Sequence, residues 1–185
     1  SLIMEQLLAK FLNFTKPLNL VLEKVNLKEI SDESFYQVSE YSKRKDIVFV
    51  PKIPDDLSFV EGDKILLKQC FQNLFQNAFE SMPKGGKLAV SIQEDKDGLK
   101  IEVSDQGVGI PADILDKIFN PFFTTKEKGT GLGLSLVKKI VNLHQGKIQV
   151  QSKLNSGSKF IISLPKELQQ TTELSEPREK VYYLN

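Results

Sequence analysis

The sequence predicts an α+β protein, in which helical segments and strand segments follow one another along 185 residues. Three observations carry this prediction. Apolar residues recur every three or four positions over residues 64–82, which is typical of an amphipathic helix. Apolar and polar residues alternate over residues 99–104, which is typical of a strand with one buried face. The turn sequence DKDG at residues 95–98 joins that strand to another at residues 87–94 and predicts a hairpin.

The other elements follow from the same patterns, with proline and glycine marking many of their ends. Further helices are predicted at residues 1–20, 28–43, 112–118 and 132–144. Further strands are predicted at residues 25–27, 47–50, 57–60, 147–153 and 158–164, and the strand at 99–104 extends to 105. Residues 61–63 are predicted to form a turn, and Asp63 is predicted to cap the helix that follows.

The composition narrows the classes of function. A formal net charge of +1 argues against a protein that binds nucleic acid or lies on a membrane surface. The single cysteine, Cys70, excludes an internal disulfide and is typical of a reducing compartment, so we expect a cytoplasmic location. No apolar run approaches the roughly 20 residues that a membrane-spanning helix needs.

The first predicted helix carries a heptad-like apolar stripe. Its members are Met4, Leu7, Phe11, Phe14 and Leu18. A helix this apolar needs a partner, which is either the domain that follows or a second copy of the chain. The helical pattern is already under way at Ser1, so we expect this sequence to be part of a longer protein.

The stretch DQGVGIP at residues 105–111 is the first candidate for a ligand-binding segment. Asp105 continues the apolar face of the preceding strand by parity, so its carboxylate is predicted to point to the buried side. An unpaired buried charge is very costly, and such a carboxylate therefore needs donors from a ligand or from the protein. Gly107 and Gly109 allow a tight turn and the close approach of a flat ligand. The alternative is a simple Asp-x-Gly turn without a ligand.

A second candidate lies on the helix predicted at residues 64–82. Asn73 and Asn77 are four residues apart and Glu80 follows three later, so all three share one face. Asparagine is unfavourable inside a helix, which indicates a purpose beyond solvation. An asparagine carbonyl oxygen is a hard ligand suited to a magnesium ion that bridges to phosphates. The alternative is a solvated polar stripe.

Glycines alternate in the run GTGLGL at residues 129–134, where the helix predicted at 132–144 begins. Successive backbone N–H groups in such a run can face an anion, which the helix dipole also favours. The run matches neither the P-loop pattern nor a dinucleotide-binding fold. Upstream, the phenylalanines of FNPFF at residues 119–123 are either core residues or the support of a mobile flap.

These four segments stand in one order, and together they resemble the ATP-binding domain of the sensor histidine kinases of two-component signalling. QNLFQNA at residues 72–78 resembles that family's N box, and DQGVG at residues 105–109 resembles its G1 box. PFFTTK at residues 121–126 and GTGLGLS at residues 129–135 resemble its F and G2 boxes. The resemblance covers residues 28–165. The short gap between Lys126 and Gly129 is similar to that of the nitrogen-regulator type of these kinases.

The resemblance implies a specific form of the α+β class. This form is an α/β sandwich, the Bergerat ATP-binding fold, in which helices cover one face of a mixed sheet. Residues 1–27 would be the end of the second helix of a dimerisation hairpin with its linker. Residues 28–165 would be the catalytic ATP-binding domain, and residues 166–185 a loose tail. Pairing through the N-terminal helix would make the parent protein a homodimer.

The resemblance also implies a site, with ATP and Mg²⁺ as the cofactors. Asp105 would accept from the adenine amino group, and Asn77 would bind the magnesium ion, with Asn73 beside it at the triphosphate. Lys126 and Lys128 would be the cations of a mobile lid. The other nucleotide-binding residues would be Gly107, Gly109, Gly129, Thr130, Gly131, Leu132, Gly133, Leu134 and Ser158.

The implied function is transfer of the γ-phosphoryl group of Mg-ATP to a histidine, and onward to an aspartate of a response-regulator receiver domain. The family's phosphoacceptor histidine lies on the first hairpin helix, which this sequence lacks. We therefore expect no autophosphorylation by this chain alone. The one histidine, His144, is expected to be structural.

Two departures from relatives bear on the mechanism. ATP-hydrolysing relatives, such as gyrase and mismatch-repair ATPases, carry a glutamate base where Asn73 stands, and asparagine cannot take up a proton at neutral pH. Asn73 therefore favours phosphoryl transfer by positioning and charge neutralisation. Glu80 and Ser81 stand where many of these kinases carry a lysine and an aromatic residue, which leaves Glu80 without an assigned role. The alternative functions are an ATPase or serine/threonine kinase on the same fold, or a non-catalytic dimerisation module.

Overall fold

The computed structural model describes residues 18–43, 46–127 and 129–169. Most of the helix predicted at residues 1–20 lies outside this range, as does Lys128 of the predicted site. Within the described ranges, no helix combines the length and the apolar content that crossing a membrane requires.

The described residues form seven strands, three α-helices and a 3₁₀ turn at Ala112–Ile114, which confirms the α+β class. The strands are β1 (Glu23–Val25), β2 (Ile47–Lys52), β3 (Val60–Gly62), β4 (Gly86–Asp95), β5 (Gly98–Asp105), β6 (Lys147–Ser152) and β7 (Ser158–Leu164). The helices are α1 (Leu27–Ser42), α2 (Lys64–Ser81) and α3 (Gly133–Leu143).

Five of these strands form one mixed sheet in the order β2-β4-β5-β7-β6. The β2–β4 pair is parallel and the other three neighbouring pairs are antiparallel. A parallel pair needs a long crossover, which β3 and α2 supply between β2 and β4. β1 and β3 form a small antiparallel sheet of their own. The mixed sheet implied by the resemblance is therefore confirmed.

The large sheet is apolar on the face that the helices cover. The buried residues of its three central strands alternate along each strand: Leu88, Val90, Ile92, Leu99, Ile101, Val103, Phe160, Ile162 and Leu164. On the opposite face, Glu102 pairs with Lys100 on its own strand and with Lys159 on the next strand. This is the pattern of a sheet with one packed face and one solvated face.

Phenylalanine side chains connect the helices to β2. Phe49 stacks on Phe35 of α1 with 4.3 Å between ring centroids, and meets Phe75 of α2 edge-on at 6.0 Å. Phe75 is fully buried, like most of the apolar side of α2. Because that side is committed to the core, the opposite side of α2, with Asn73 and Asn77, is left to form a site.

A buried histidine ties the start of α2 to the end of α3. Asp63 caps α2 as predicted, since its Oδ1 accepts from the N–H of Leu66 at 3.0 Å. The N–H of Asp63 donates to Nε2 of His144 at 2.9 Å, and Nδ1 of His144 lies 2.8 Å from the carbonyl oxygen of Ile140. Because Nε2 accepts, the ring proton is assigned to Nδ1. His144 is 1% exposed and engaged at both nitrogens, so its role is structural.

Three predictions of elements near the termini of α1 and α2 need correction. The first strand is Glu23–Val25 rather than residues 25–27, because Oδ1 of Asn26 accepts from two backbone N–H groups and caps α1. The third strand is Val60–Gly62 rather than residues 57–60, so most of the predicted turn at residues 61–63 belongs to a strand. This strand pairs with β1, a long-range contact that the local pattern does not reveal.

The helix predicted at residues 112–118 is also wrong. It is a 3₁₀ turn at Ala112–Ile114, followed by further turns with the same three-residue spacing. The N–H of Lys117 donates to the carbonyl of Ile114, and the N–H of Asn120 donates to that of Lys117, both at 2.9 Å. So short a segment forms too few hydrogen bonds to offset the free-energy cost of nucleating an α-helix.

The start of the predicted loose tail is held in place. The N–H of Glu61 donates to the carbonyl oxygen of Lys166 at 2.8 Å, and the Glu61 carboxylate accepts from the N–H of Leu168 at 2.9 Å. Gln169 and Gln145 exchange two further hydrogen bonds. Residues 166–169 therefore dock against β3 and the end of α3, and residues 170–185 lie outside the described range.

Candidate functional site

A cavity of about 880 Å³ lies between α2, the end of β5, the segment 122–131 and the start of α3. This volume falls in the range of small-molecule sites. Most of the residues assigned from the sequence line it: Asn73, Asn77, Asp105, Gly109, Lys126, Gly129, Thr130, Gly131, Leu132, Gly133, Leu134 and Ser158. Of the other two, Lys128 lies outside the described residues and Gly107 does not line the cavity.

The carboxylate of Asp105 lies in the cavity wall at the end of β5. Asp105 pairs in register with the fully buried Leu88, so it lies on the helix-covered face, as parity predicted. Its Oδ1 accepts from the N–H of Gly107 at 2.8 Å, the hydroxyl of Ser81 at 3.1 Å and the N–H of Ser158 at 3.3 Å. Among the described residues no hydrogen bond reaches Oδ2, which leaves that oxygen for a ligand.

Two opposing effects act on the pKa of the Asp105 carboxyl. Burial is the larger effect and raises this pKa above its usual range. The donors on Gly107, Ser81 and Ser158 act in the opposite direction, in decreasing order. A ligand that donates to Oδ2 would further offset the desolvation of the charged form.

The polar side of α2 forms a second wall. Asn73, Asn77 and Glu80 all line the cavity, as their helical spacing predicted. The Nδ2 of Asn73 donates to the carbonyl oxygen of Gln69 at 2.8 Å, so its Oδ1 is the end that a ligand meets. Nζ of Lys126 donates to Oδ1 of Asn77 at 3.2 Å and forms an ion pair with Oε2 of Glu80. Lys126 thereby holds the segment 122–131 against α2.

The contacts of Lys126 indicate that this wall of the cavity can hold a cation. Its ammonium group is a compact cation, and it takes one oxygen from Asn77 and one from Glu80. Amide and carboxylate oxygens are the protein ligands that Mg²⁺ takes alongside phosphates and water. The donor set therefore fits Mg²⁺, and Asn77, the predicted metal ligand, contributes one of its oxygens.

The segment 122–131, which we call the lid, has a backbone hydrogen bond at its base. The N–H of Phe122 donates to the carbonyl oxygen of Gly131 at 2.9 Å. Both residues have left-handed backbone conformations, with φ of 66° at Phe122 and 69° at Gly131. A Cβ at Gly131 would lie 2.3 Å from the carbonyl carbon of Phe122, so this position requires glycine.

Helix α3 begins at the cavity with free backbone donors. No side chain caps its first turn, and Leu132, Gly133 and Leu134 line the cavity there. The N–H groups of an uncapped first turn, together with the helix dipole, favour an anion. The start of α3 is therefore suited to a phosphate group, as the glycine run suggested.

The two glycines after Asp105 also allow close packing within the protein. A Cβ at Gly107 would lie 2.1 Å from Oγ of Ser81, and a Cβ at Gly109 would lie 2.1 Å from the carbonyl oxygen of Lys153. Both glycines therefore let the chain pack closely against other parts of the protein. The role of Gly107 in nucleotide binding stays a prediction.

Sequence analysis missed the side chains that hold the candidate functional groups. Ser81 donates to Asp105, and Nε2 of Gln76 donates to Oε1 of Glu80 at 2.8 Å. The four-residue spacing of Gln76 and Glu80 on one helix was an available signal. The apolar part of the wall was also missed: Leu18, Val108, Ile110, Ile118, Phe123, Leu136 and Phe160.

The cysteine takes no part in this site. Cys70 lies in the core and is 3% exposed. Burial raises the pKa of its thiol to about 12, so the thiol stays protonated and unreactive at neutral pH.

Comparison with known proteins identifies the family. The family model described as histidine kinase-, DNA gyrase B- and HSP90-like ATPase matches residues 62–168, more than half of the chain. Sporulation kinase A of Bacillus subtilis (strain 168) is 41% identical over 163 residues, which are 88% of this chain and 27% of that protein. Sensor histidine kinase ZraS of Escherichia coli (strain K12) is 38% identical over 162 residues, which are 88% of this chain and 35% of that protein. The chain thus spans about a quarter to a third of these relatives.

Solved structures agree with this result. The mycobacterial sensor histidine kinase MprB is 30% identical with a TM-score of 0.71, over 80% of this chain and 100% of that chain. The nucleotide-free catalytic domain of histidine kinase ThkA is 35% identical with a TM-score of 0.71, over 80% of this chain and 99% of that chain. The chain therefore belongs to the histidine kinase-, DNA gyrase B- and HSP90-like ATPase family, as a catalytic domain of the sensor histidine kinases.

Proposed function

We propose that this domain binds Mg-ATP and presents the γ-phosphoryl group for transfer to a histidine of the same two-component kinase. The observation that carries the proposal is the Asp105 carboxylate in the cavity wall. Its donors among the described residues all meet Oδ1 and leave Oδ2 to a ligand. The exocyclic amino group of adenine is a donor that suits this oxygen. Ser158, next to Asp105, completes the adenine end of the site.

The phosphates would lie at the opposite end, between α2 and the start of α3. The free N–H groups at Gly133 and Leu134 suit the oxygen atoms of the triphosphate. The cations Lys126 and Lys128 of the lid would contribute positive charge, and Asn73 and Asn77 would present carbonyl oxygens. Asn77 would hold Mg²⁺, which would supply positive charge beside the phosphates when bound.

Asn73 supports phosphoryl transfer over hydrolysis. It lies in the wall where an ATPase of this fold needs a base to activate water, and an amide does not accept a proton at neutral pH. The domain would then act by holding ATP in place, out of reach of an activated water, until the acceptor histidine arrives.

The acceptor histidine would lie outside this sequence. His144 is buried and hydrogen-bonded at both nitrogens, so the acceptor must be another histidine. One related structure is that of histidine kinase ThkA in complex with the response regulator protein TrrA, at 30% identity and a TM-score of 0.74. By analogy, we infer a receiver domain as the next acceptor. The single cysteine, Cys70, supports a cytoplasmic location. Homodimer formation through the N-terminal helix remains a prediction, as does the nitrogen-regulator subtype.

Titration calorimetry of Mg-ATP into the chain tests this proposal, with Asp105→Asn as the variant. The control is Asp97→Asn, which makes the same chemical change at an exposed position of the β4–β5 turn. We expect the native chain and the control to bind and the Asp105→Asn variant to lose most of its affinity. ATP recovered after the titration should be intact.

Three other results would count against the proposal. Absence of binding by the native chain would leave the non-catalytic dimerisation module as the reading. Conversion of ATP to ADP by the chain alone would favour an ATPase. Equal binding by Asp105→Asn would remove Asp105 from the site.

A further inference from the structure

Lys126 already places a cation on the polar wall of α2. Its Nζ donates to Oδ1 of Asn77 at 3.2 Å and forms an ion pair with Oε2 of Glu80. Two oxygen atoms, from side chains three residues apart on one helix, thus converge on a single positive charge. Glu80 was the residue of the polar stripe without an assigned role, and this contact gives it one.

The orientation of the Glu80 carboxylate is set from its other oxygen. Nε2 of Gln76, one helical turn earlier, donates to Oε1 at 2.8 Å. Oε2 is thereby left for the cation. The ion pair is not sealed in the core, since the side chains of Lys126 and Glu80 are 42% and 40% exposed. Such pairs are weak, so a stronger cation or anion can separate them.

Nucleotide binding would create a conflict at this pair. A triphosphate between α2 and α3 would attract Lys126 toward its own oxygens. Glu80 would then be a bare carboxylate beside phosphates of the same charge, which is unfavourable unless a second cation takes the place of Lys126. The oxygens of Glu80 and Asn77 are suited to Mg²⁺.

We propose that Glu80 exchanges partners, holding Lys126 in the empty site and serving with Asn77 as an oxygen ligand of Mg²⁺, directly or through a water, in the loaded site. This inference rests on the proposed function. In this proposal, Glu80 couples the binding of the metal ion to the binding of the nucleotide. It also predicts two effects of opposite sign when the carboxylate is removed, which a merely structural residue would not produce.

The test measures the dissociation constant of the non-hydrolysable ATP analogue AMPPNP by calorimetry, with EDTA and with saturating Mn²⁺. Mn²⁺ takes the same oxygen ligands as Mg²⁺ and is visible by electron paramagnetic resonance. The ratio of the two dissociation constants is the coupling between metal and nucleotide. In Glu80→Gln, metal-free AMPPNP should bind more tightly, because Lys126 is released and a repulsive charge is gone. The coupling should fall by about tenfold or more, as for lost metal-site residues elsewhere.

Glu127→Gln is the matched control. It removes one negative charge from the same lid at an exposed position that does not line the cavity. Its coupling ratio should stay within about twofold of native, since exposed charges are screened by salt. The resonance spectrum of Mn²⁺ bound with AMPPNP should change in Glu80→Gln and not in the control.

The outcomes separate this inference from the proposed function. A native coupling ratio in Glu80→Gln overturns the partner exchange and leaves the proposed function intact. An equal loss of coupling in Glu127→Gln also overturns it, because the effect would then be general electrostatics. Failure of the native chain to bind AMPPNP with or without metal overturns the proposed function and this inference with it.

Discussion

Asp105 illustrates how a single residue can oppose stability in order to serve a site. Burial raises the pKa of its carboxyl, so the folded chain holds a proton there more readily than the unfolded chain does. The stabilisation from this group is full below the unfolded pKa and is lost as pH rises through the folded pKa. The ionised form of this carboxyl therefore contributes less to the stability of the fold than the protonated form does.

Removing that charge should make the domain more stable. In Asp105→Asn the amide oxygen can still accept from Gly107, Ser81 and Ser158, while the desolvated charge is gone. We expect a higher urea midpoint than native at pH 7, together with the loss of nucleotide affinity. A lower midpoint would show that the ionised carboxylate stabilises the fold.

Ser81 should set the pH at which nucleotide binding fails. Its hydroxyl lowers the pKa of Asp105, so Ser81→Ala should raise that pKa further. Protonated Asp105 is a poorer acceptor, and binding should therefore weaken at a higher pH in the variant than in the native chain. Calorimetric titrations across pH 4–8 measure this midpoint.

Ser104→Ala provides the control for that experiment. Ser104 precedes Asp105 on β5 and, by alternation, lies on the opposite face of the sheet. The pH dependence of nucleotide binding should be the same in Ser104→Ala as in the native chain. A shift in both variants would point to a general effect on β5 and not to the hydrogen bond on Asp105.

At the scale of elements, the lid depends on the backbone conformation of Gly131. An alanine there would have an unfavourable left-handed conformation, which costs about 1–2 kcal/mol, and would clash with the backbone of Phe122. Gly131→Ala should therefore lower nucleotide affinity by about tenfold or more while circular dichroism stays native.

Gly129→Ala is the comparison within the same lid. Its Cβ would meet Oγ1 of Thr124 at 2.3 Å, which belongs to a side chain that can rotate away. The backbone of Gly129 is not left-handed. We expect a smaller loss of affinity than for Gly131→Ala, and equal losses would contradict the importance of the lid base.

The contact between α2 and α3 depends on His144. His144→Ala would leave a cavity and an unpaired N–H on Asp63, and should lower the free energy of unfolding by about 2–4 kcal/mol. Asn142→Ala, on the exposed side of α3, should change it by no more than about 0.5 kcal/mol. Urea unfolding of both variants measures the difference in the free energy of unfolding. Similar values would show that His144 does not stabilise the contact between α2 and α3.

The sequence predicted elements well where the pattern is local. Helix α2 and strand β5 carry their periodicity and their end signals in their own residues, and both were found close to the predicted bounds. Strand β3 depends on a partner far along the chain, and was misplaced. The segment after Pro111 has helical composition but too few residues to sustain more than a 3₁₀ turn.

At the scale of the whole molecule, the candidate site is built from elements that lie far apart in the sequence. Its walls come from a helix, the end of a strand, the lid and a second helix, so a bound nucleotide should stabilise all of them together. Mg-ADP at one hundred times its dissociation constant should raise the free energy of unfolding by about 2.7 kcal/mol. Urea unfolding with and without nucleotide measures the increase, and Asp105→Asn should show little of it.

The candidate site, like the helices and strands, was predictable where its residues form a local sequence pattern. Side chains of the candidate site such as Asn77 and Asp105 stand in recognisable local patterns. Their supporting contacts join distant parts of the chain, as when Lys126 of the lid meets Glu80 of α2. Local sequence carries no signal for such a pair, and the pairing emerges when the sheet and helices bring the lid to α2.

The hydrogen bond between Phe122 and Gly131 has a practical consequence for engineering. Because it pins both ends of the lid, the number of residues between them can vary without disturbing the sheet or the helices. Doubling the length of a flexible loop adds only about 0.6 kcal/mol of closure entropy. Residues 124–127 are exposed, so a spliced-in peptide or a fluorophore attached there would turn the domain into a reporter of nucleotide concentration.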